Sequence, residues 1–441
     1  MTFKLLGIAL VAAVLSVSQI SPPNYEEQGR MVVLEMAARH FDKVVASFDE
    51  NVAKILPTDK LAKSWDSLLI QAGDFQSIEK VRRGENRGLQ IVYVTCVFQR
   101  SKWDIIAAFD PQGHIVQFTS VPTESLAPWT QPGYVRNEKF HEREVSVGTA
   151  PWQLPGTLTL PNGAGPFPAV VLVHGSGPND RDEALGPNKM FKDLAWGLAG
   201  KGIAVLRYDK RTRVHSRQLM AQPGGYTVND ETVDDARAAV ALLAAQPEIQ
   251  AKRIFVLGHS LGGYVAPRIA SGDSQIAGLI IMAGSTRPME ELLMEQVRYS
   301  VGLSGKPTTE GEELIAQAEK SAAEVRDPGL KPGMNVHFMG AVIPASYFLD
   351  LRTYHASEVA SGLHVPMMVL QGDRDYQVQM ADLNGWKKAL DKKPAVTFKI
   401  YPGLNHFFMP GTGPSSGAEY LKPNHVQEDV VQDIEAWIAK H

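Results

Sequence analysis

Short apolar runs alternate with segments of helical period from about residue 140 to the end of the chain. One such segment, Val228 to Ala245, places Val233, Ala236, Val240 and Leu243 on a single stripe, as expected of a helix that packs by one face. Continuous apolar strands alternating with helices indicate a mostly parallel sheet covered on both faces. The pattern predicts a closing helix at 425–439 and strands at 140–147, 152–160, 169–173, 203–207, 254–257, 276–282, 365–370 and 396–401.

The strand signal disappears between Gly284 and about His364. Two helical stretches, 288–299 and 309–325, take its place. Because they interrupt the alternation of strands and helices, they are interpreted as a helical cap inserted into the sheet domain at about 284–364.

Residues 24–122 have a different pattern and predict a separate small α+β domain. A helical stripe runs from Arg30 to Phe48, and a second helix follows Pro57. Strand-like segments then occupy 75–81, 88–98, 103–109 and 114–121. Residues 123–139 begin with a proline-rich stretch and are expected to link this domain to a second one at 140–441.

The first residues resemble a targeting segment. An apolar run of about 13 residues, Leu5 to Val17, follows Lys4 and is too short to span a bilayer. Residues 1–20 are therefore predicted to be a signal peptide, and the protein is expected to be periplasmic or secreted, with no stable membrane span after cleavage. An uncleaved N-terminal anchor is the alternative.

Composition and charge bear on which partners and cofactors are expected. The chain has 441 residues, with 44 Lys and Arg against 48 Asp and Glu, and the net charge of −4 makes nucleic acid an unexpected partner. The one cysteine, Cys96, lies in an apolar strand-like run and is interpreted as a buried core residue. No zinc or phosphate-loop motif occurs, so no metal and no cofactor is predicted.

The sequence Gly258-His259-Ser260-Leu261-Gly262 carries the strongest chemical signal. It fits G-x-S-x-G and stands between a predicted strand and a predicted helix. A serine on a sharp strand-to-helix turn is typical of a nucleophile elbow. The pattern predicts Ser260 as a catalytic nucleophile.

A nucleophilic serine needs a histidine base that is oriented by a carboxylate. His406 follows the strand predicted at 396–401, and Asp373 and Asp375 follow the strand predicted at 365–370. Active sites of open α/β sheets lie at the carboxyl ends of the strands, so these positions suit the task. The spacing of the two aspartates does not choose between them.

Two backbone amides are expected to form an oxyanion hole: that of Leu261, after the nucleophile, and that of Ser176, in the loop after the strand at 169–173. Ser176 has no elbow around it, which disfavours it as a nucleophile. Two charged runs, 179–183 and 207–211, are interpreted either as solvated loops or as self-contained arginine–carboxylate networks. His174 and His259 are expected to hold their loops by local hydrogen bonds.

These segments together resemble a group of bacterial α/β-hydrolases that includes serine esterases and is related to the prolyl-oligopeptidase and dienelactone-hydrolase branches. The resemblance rests on 174–178 with Asp180-Arg181-Asp182, on Arg207-Tyr208-Asp209-Lys210-Arg211 and on 258–263. It implies the α/β-hydrolase fold with an inserted cap and a preceding α+β domain of unknown function. It also implies Ser260, Asp375 and His406 as a triad, with the acid three residues after Gly372. Many relatives have glycine where this chain has Thr212, which affects the path of that loop.

The resemblance implies a serine hydrolase that cleaves small-molecule carboxylic esters through an acyl-serine intermediate. A serine peptidase or acyl thioesterase of the same fold is an alternative, and so is an exported ligand-binding protein with an inactive hydrolase fold. Apolar cap residues are expected either to line an acyl pocket or only to pack the cap onto the sheet: Leu292, Leu293, Met294, Phe338, Met339, Tyr347 and Phe348. The sequence does not indicate the oligomeric state.

Overall fold

The computed structural model describes residues 24–303, 305 and 308–441, and the predicted signal peptide lies outside them. These described residues divide into two compact units, of which the first ends at Thr123 and the second begins at Glu124. Within the described residues, no helix has the length and apolar character that would let it cross a membrane.

The smaller unit pairs four helices with one antiparallel sheet, in the strand order β1-β2-β3-β4. Apolar side chains alternate along β2 and β3, and the inward set, which includes Val94, Cys96 and Ile105, packs against Val33 and Trp65 of the helices. The elements are α1 (Tyr25–Ala37), α2 (Phe41–Val45), α3 (Glu50–Ile55), α4 (Thr58–Ala72), β1 (Phe75–Asn86), β2 (Leu89–Phe98), β3 (Lys102–Phe109) and β4 (Ile115–Pro122).

The helix predicted from Arg30 to Phe48 is in fact two helices. Arg39 adopts a left-handed backbone conformation, with φ of 64°, which ends α1 and redirects the chain. The Arg39 guanidinium lies 2.7 Å from Asp66 on α4, and this contact helps to hold the turn. The apolar stripe continues across the turn, and this continuity explains why the pattern predicted a single helix.

The larger unit is built on an eight-stranded sheet in the order β16-β15-β12-β11-β7-β10-β6-β5. The six strands from β16 to β10 are parallel, and β6 and β5 continue the sheet with antiparallel pairing. The strands are β5 (Phe140–Val147), β6 (Leu154–Pro161), β7 (Phe167–Val173), β8 (Ala184–Leu185), β9 (Asn188–Lys189), β10 (Ala204–Tyr208), β11 (Ile249–His259), β12 (Ile276–Met282), β13 (Asn335–Phe338), β14 (Ala341–Pro344), β15 (Met367–Gly372) and β16 (Val396–Tyr401).

Both faces of this sheet are covered by helices, as the apolar runs predict. Along β7, Ala169, Val171 and Val173 face one helical layer, whereas Val170 and Leu172 face the other. The helices are α5 (Met190–Ala199), α6 (Arg211–Val214), α7 (Ser216–Met220), α8 (Asp234–Ala244), α9 (Leu261–Ala270), α10 (Met289–Gly302), α11 (Thr309–Arg326), α12 (Ala345–Arg352), α13 (Ala356–Gly362), α14 (Met380–Leu390) and α15 (Glu428–Lys440).

Several expectations for this unit need correction. The cap between β12 and β15 is not purely helical, because β13 and β14 form a hairpin around Met339 and Gly340, both with positive φ. The helix predicted at 228–245 begins with a π turn at Asn229–Val233. The closing helix begins at Glu428, three residues later than predicted, because Asp193 accepts hydrogen bonds from the ring of His425 and the amide of Val426.

The segment predicted as a linker packs on the larger unit. Trp129 Nε1 donates a hydrogen bond of 2.9 Å to the buried carboxylate of Asp193. Its ring meets Trp196 edge to face at 5.1 Å, and the ammonium of Lys192 lies about equally close to both rings. Residues from 124 onward are therefore part of this unit.

We expect Trp129→Ala to lower the free energy of unfolding of the larger unit by about 2 kcal/mol, because it removes a hydrogen bond to a buried carboxylate and an aromatic pair. Trp129→Phe keeps an aromatic ring at this position and should lose only part of this free energy. Urea unfolding of the full chain, followed by near-ultraviolet circular dichroism, measures both changes. Equal stability of wild type and Trp129→Ala would contradict the proposed anchoring.

Candidate active site

Ser260 occupies a strained turn between β11 and α9. Its backbone has φ of 54° and ψ of −115°, a region that a residue with a side chain seldom adopts. A Cβ on Gly262 would lie 2.2 Å from the carbonyl oxygen of Val173, and one on Gly258 would lie 2.2 Å from that of Gly262. Only glycine fits at both positions, so the sequence pattern corresponds to a real packing constraint.

Asp375 and His406 meet at the same edge of the sheet. His406 Nδ1 donates a 2.7 Å hydrogen bond to Oδ2 of Asp375, and both side chains are buried. The other carboxylate oxygen accepts the backbone amides of Gln377 and Val378 at 2.8 and 2.9 Å. The carboxylate is thus held by the turn that follows β15, and it fixes the orientation of the imidazole.

Asp373 lies apart from this pair. Its carboxylate is exposed and accepts a 2.7 Å hydrogen bond from the amide of Gly403. Arg374, its neighbour in sequence, binds Glu419 and not Asp373. The structure therefore resolves the choice that spacing left open and places Asp375, not Asp373, on the histidine.

The loop after β7 lies beside the elbow. A Cβ on Gly175 would approach the Cβ of Ser260 to 3.2 Å, so the backbone of this loop passes directly over the serine. Ser176 and Leu261 both line the cavity that Ser260 borders. Leu261 is the first residue of α9, and an amide there has no acceptor within its helix.

His259 forms a buried ion pair beneath this loop. Its Nδ1 lies 3.1 Å from Glu183 Oε1, and its Nε2 lies 3.1 Å from the backbone oxygen of His406. Both partners are acceptors, so both ring nitrogens carry protons. Burial alone would lower the pKa of His259, but the charge and hydrogen bond of Glu183 outweigh it and raise that pKa. His259 therefore fixes the backbone of His406, consistent with its expected role of holding a loop.

His174, unlike His259, is a neutral buried histidine. Burial lowers the pKa of its imidazole to about 4, so the ring is neutral at physiological pH. The ring packs against Phe191 and Tyr208 below the loop. His174 therefore supports the loop after β7 by packing beneath it.

The two charged runs form one network, in contrast to the two alternatives that the sequence suggested. Arg181 pairs with Asp209, and Arg207 with Asp182, so each run supplies the partners of the other. Buried guanidinium and carboxylate groups need such partners, because either one alone would be left as an uncompensated charge. The network ties the loop after β7 to the loop after β10.

A cavity of about 530 Å³ opens in front of Ser260. Its wall is mostly apolar and comes from the cap and from the segment after β10, which the sequence analysis did not implicate. The cap is joined to the nucleophile helix through Tyr264 and Tyr354, whose hydroxyls each donate to the backbone oxygen of the other residue, at 2.7 and 2.9 Å.

Five of the seven apolar cap residues line this cavity, namely Leu292, Leu293, Phe338, Tyr347 and Phe348. Met294 instead faces a groove between α10 and α11, because it points to the other side of its helix. Met339 is the first residue of the hairpin turn and lines neither space.

Sequence reasoning missed several charged and polar side chains around the site. Glu183, Lys210 and Glu231 are buried, and Glu231 lines the cavity. For Glu183 and Lys210 the signal was present in the charged runs at the ends of two apolar strands, where solvated loops and buried networks have the same composition. Glu231 stands instead in the segment predicted as a helix at 228–245. Within the described residues no group of three or more His, Cys, Asp and Glu side chains is arranged to hold a metal ion.

Comparison with known proteins adds an independent finding. Residues 166–410 match the family described as serine aminopeptidase, S33, and residues 31–118 match a family described as a protein of unknown function, DUF3887. Esterase EstD of Thermotoga maritima is 36% identical over 422 residues, which cover 94% of this chain and 96% of that protein.

Solved structures resemble this chain at lower sequence identity. Est1E from Butyrivibrio proteoclasticus is 15% identical with a TM-score of 0.44, and covers 68% of this chain and 99% of its own. An esterase of Pyrobaculum calidifontis is 17% identical, also with a TM-score of 0.44, and the coverage is 68% and 85%.

The match to residues 166–410 takes in 245 of the 441 residues, and the match to Esterase EstD extends over nearly the whole chain. The parallel sheet, the strained elbow and the inserted cap agree with it. The chain belongs to the serine aminopeptidase S33 family of α/β-hydrolases.

Proposed function

We propose that this protein is a serine esterase that hydrolyses small carboxylic esters through an acyl-serine intermediate on Ser260. The buried hydrogen bond between Asp375 and His406, at the sheet edge that also carries the elbow, is the observation that supports this most strongly. The activity in the name of Esterase EstD supports the same reaction class.

Each of these groups has a role in the proposed reaction. His406 Nε2 takes the proton from Ser260 Oγ as that oxygen attacks the ester carbonyl. The resulting oxyanion accepts hydrogen bonds from the amides of Leu261 and Ser176. The imidazolium, stabilised by Asp375, then protonates the departing alcohol and leaves an acyl-serine. Water, deprotonated by His406, hydrolyses the acyl-serine in the second half of the cycle.

The charges around the cavity favour esters over amino-terminal peptides. Recognition of a substrate amine needs a carboxylate that is not already neutralised. The two carboxylates of the cavity wall are Glu231, 3.4 Å from Lys210, and Glu290, 3.6 Å from Arg326. Because both face a cation of the protein, a mostly apolar acyl or alcohol group suits the cavity better.

We expect Ser260→Ala to reduce kcat by about 10⁴-fold or more, because the nucleophile is removed while the elbow backbone stays intact. The measurement is hydrolysis of a short-chain p-nitrophenyl ester, with circular dichroism as the check on folding. A folded variant that retained a tenth of wild-type kcat would show that another residue is the nucleophile.

Asp375→Asn and Asp373→Asn form a matched pair of substitutions two residues apart. Asp375→Asn should lower kcat by about 10⁴-fold, because the histidine loses the acceptor that fixes its tautomer and stabilises its cation. Asp373→Asn removes only an exposed contact to a backbone amide and should leave kcat within a few-fold of wild type. The opposite order on the same ester would assign the acid to Asp373.

The cavity wall should set the accepted acyl length. Leu293→Trp and Ala341→Trp fill space in front of Ser260, so they should shift the preference of kcat/KM toward shorter acyl chains. Met294→Trp, next to Leu293 but facing the other groove, serves as the control. A panel of p-nitrophenyl esters from acetyl to palmitoyl measures the profiles. Identical profiles in all three variants and wild type would mean that the cap only packs onto the sheet.

A further inference from the structure

A buried lysine stands behind the loop that carries Ser176. Lys210 follows β10, is 1% exposed, and donates a 2.8 Å hydrogen bond from Nζ to the backbone oxygen of Gly175. A lysine is almost never fully buried unless it is paired, since its ammonium loses strong hydration. Here Glu231, 5% exposed, supplies the opposite charge at 3.4 Å.

The carbonyl that Lys210 binds belongs to the same peptide group as the amide of Ser176. In a trans peptide the C=O and the N–H lie in one plane and point in opposite directions. Fixing the oxygen of Gly175 toward Lys210 therefore fixes the direction of the Ser176 N–H. The preceding peptide is held as well, because the amide of Gly175 donates a 2.7 Å hydrogen bond to Glu183.

We infer that Lys210 is a positioning residue for the oxyanion hole, one that both aims and polarises the amide of Ser176. This inference rests on the proposed function. An ammonium that binds the carbonyl oxygen draws electron density from the peptide, and chains of hydrogen bonds strengthen one another in this way. The Ser176 N–H thereby becomes a better donor to the negative charge that forms in the transition state.

Glu231 completes the arrangement. It accepts hydrogen bonds from Thr212 and from the hydroxyl of Tyr347, each at 3.0 Å. Without Glu231, the charge of Lys210 would be uncompensated in the interior of the protein. Because Tyr347 lies on α12 of the cap, the cap and the loop after β7 are connected through one line of polar contacts.

The experiment compares Glu231→Gln, which keeps the Lys210 donor but removes its counterion, with the double variant Lys210→Met and Glu231→Gln, in which neither charge remains in the interior. Each is assayed for kcat and KM on a short-chain p-nitrophenyl ester, and for inhibition by an alkyl boronic acid, which forms a tetrahedral adduct on the serine. Loss of oxyanion orientation should lower kcat by about 10- to 100-fold relative to Glu231→Gln. KM should change by no more than about two-fold, and the inhibition constant should rise in parallel with the loss of kcat.

Arg237→Met is the matched control. Arg237 also donates to backbone oxygens, those of Arg268, Ile269 and Ser271, but at the end of α9 opposite to Ser260. Its substitution should lower thermal stability and leave boronic acid affinity unchanged. Lys210→Arg keeps a cation beside Glu231 and should retain a boronic acid affinity close to that of wild type, and this comparison provides a second test if the double variant does not fold.

Ser260→Ala is measured alongside to separate the two claims. Retained activity in that variant would overturn the proposed function itself. If Ser260→Ala is inactive while the double variant keeps the kcat and the boronic acid affinity of Glu231→Gln, the role of Lys210 is overturned alone. A parallel loss of affinity in Arg237→Met and the double variant would likewise show only a general loss of stability.

Discussion

The close approach of three backbone segments at the end of β11 is the constraint on which the site depends. Gly262 touches the carbonyl of Val173, and Gly258 touches that of Gly262, so no side chain fits between β7, β11 and α9. This contact forces Ser260 into its positive-φ conformation and leaves the first amide of α9 without a helical acceptor. The nucleophile and one proposed oxyanion donor are thus consequences of the same tight turn.

Around that turn the protein uses buried charge as well as apolar packing to hold its loops. Glu183 binds the amide of Gly175 and the ring of His259, and His259 in turn holds the backbone of His406. Charged groups in the interior are stable only with partners of correct geometry, so each loop is held in one arrangement. The loops after β7, β11 and β16 are therefore connected through two side chains.

Much of the fold could be predicted from sequence, because apolar periodicity reports directly on burial. The parallel strands and the position of the cap follow from that pattern, and the elbow follows from G-x-S-x-G standing between a predicted strand and a predicted helix. The break at Arg39 and the hairpin at Met339 could not be predicted in this way, since both depend on a local backbone conformation that leaves the apolar pattern unchanged.

The polar part of the site was harder to predict than its nucleophile. Ser260 stands in a motif flanked by a predicted strand and a predicted helix, whereas Lys210 stands in a charged run whose composition also suits a solvated loop, and Glu231 stands in a predicted helix with no chemical motif. A buried charged residue differs from a solvated one by having a partner of opposite charge, and here the partners are distant in sequence. The choice of Asp375 over Asp373 was open for a similar reason. The path of the turn after Gly372 decides which carboxylate reaches His406, and the spacing of the two residues does not reveal that path.

The π turn at Asn229–Val233 has a consequence for how this chain tolerates length changes. Its wider hydrogen-bonded ring accommodates one residue more than an α-helical turn would, and it carries Glu231 to the cavity wall. Each residue of an α-helix turns the chain by about 100°, as 3.6 residues complete a turn. A one-residue deletion here would restore a regular helix and rotate Glu231 away from Lys210. Insertions and deletions are usually tolerated in surface loops, but at this turn the count of residues itself determines whether a buried cation keeps its counterion.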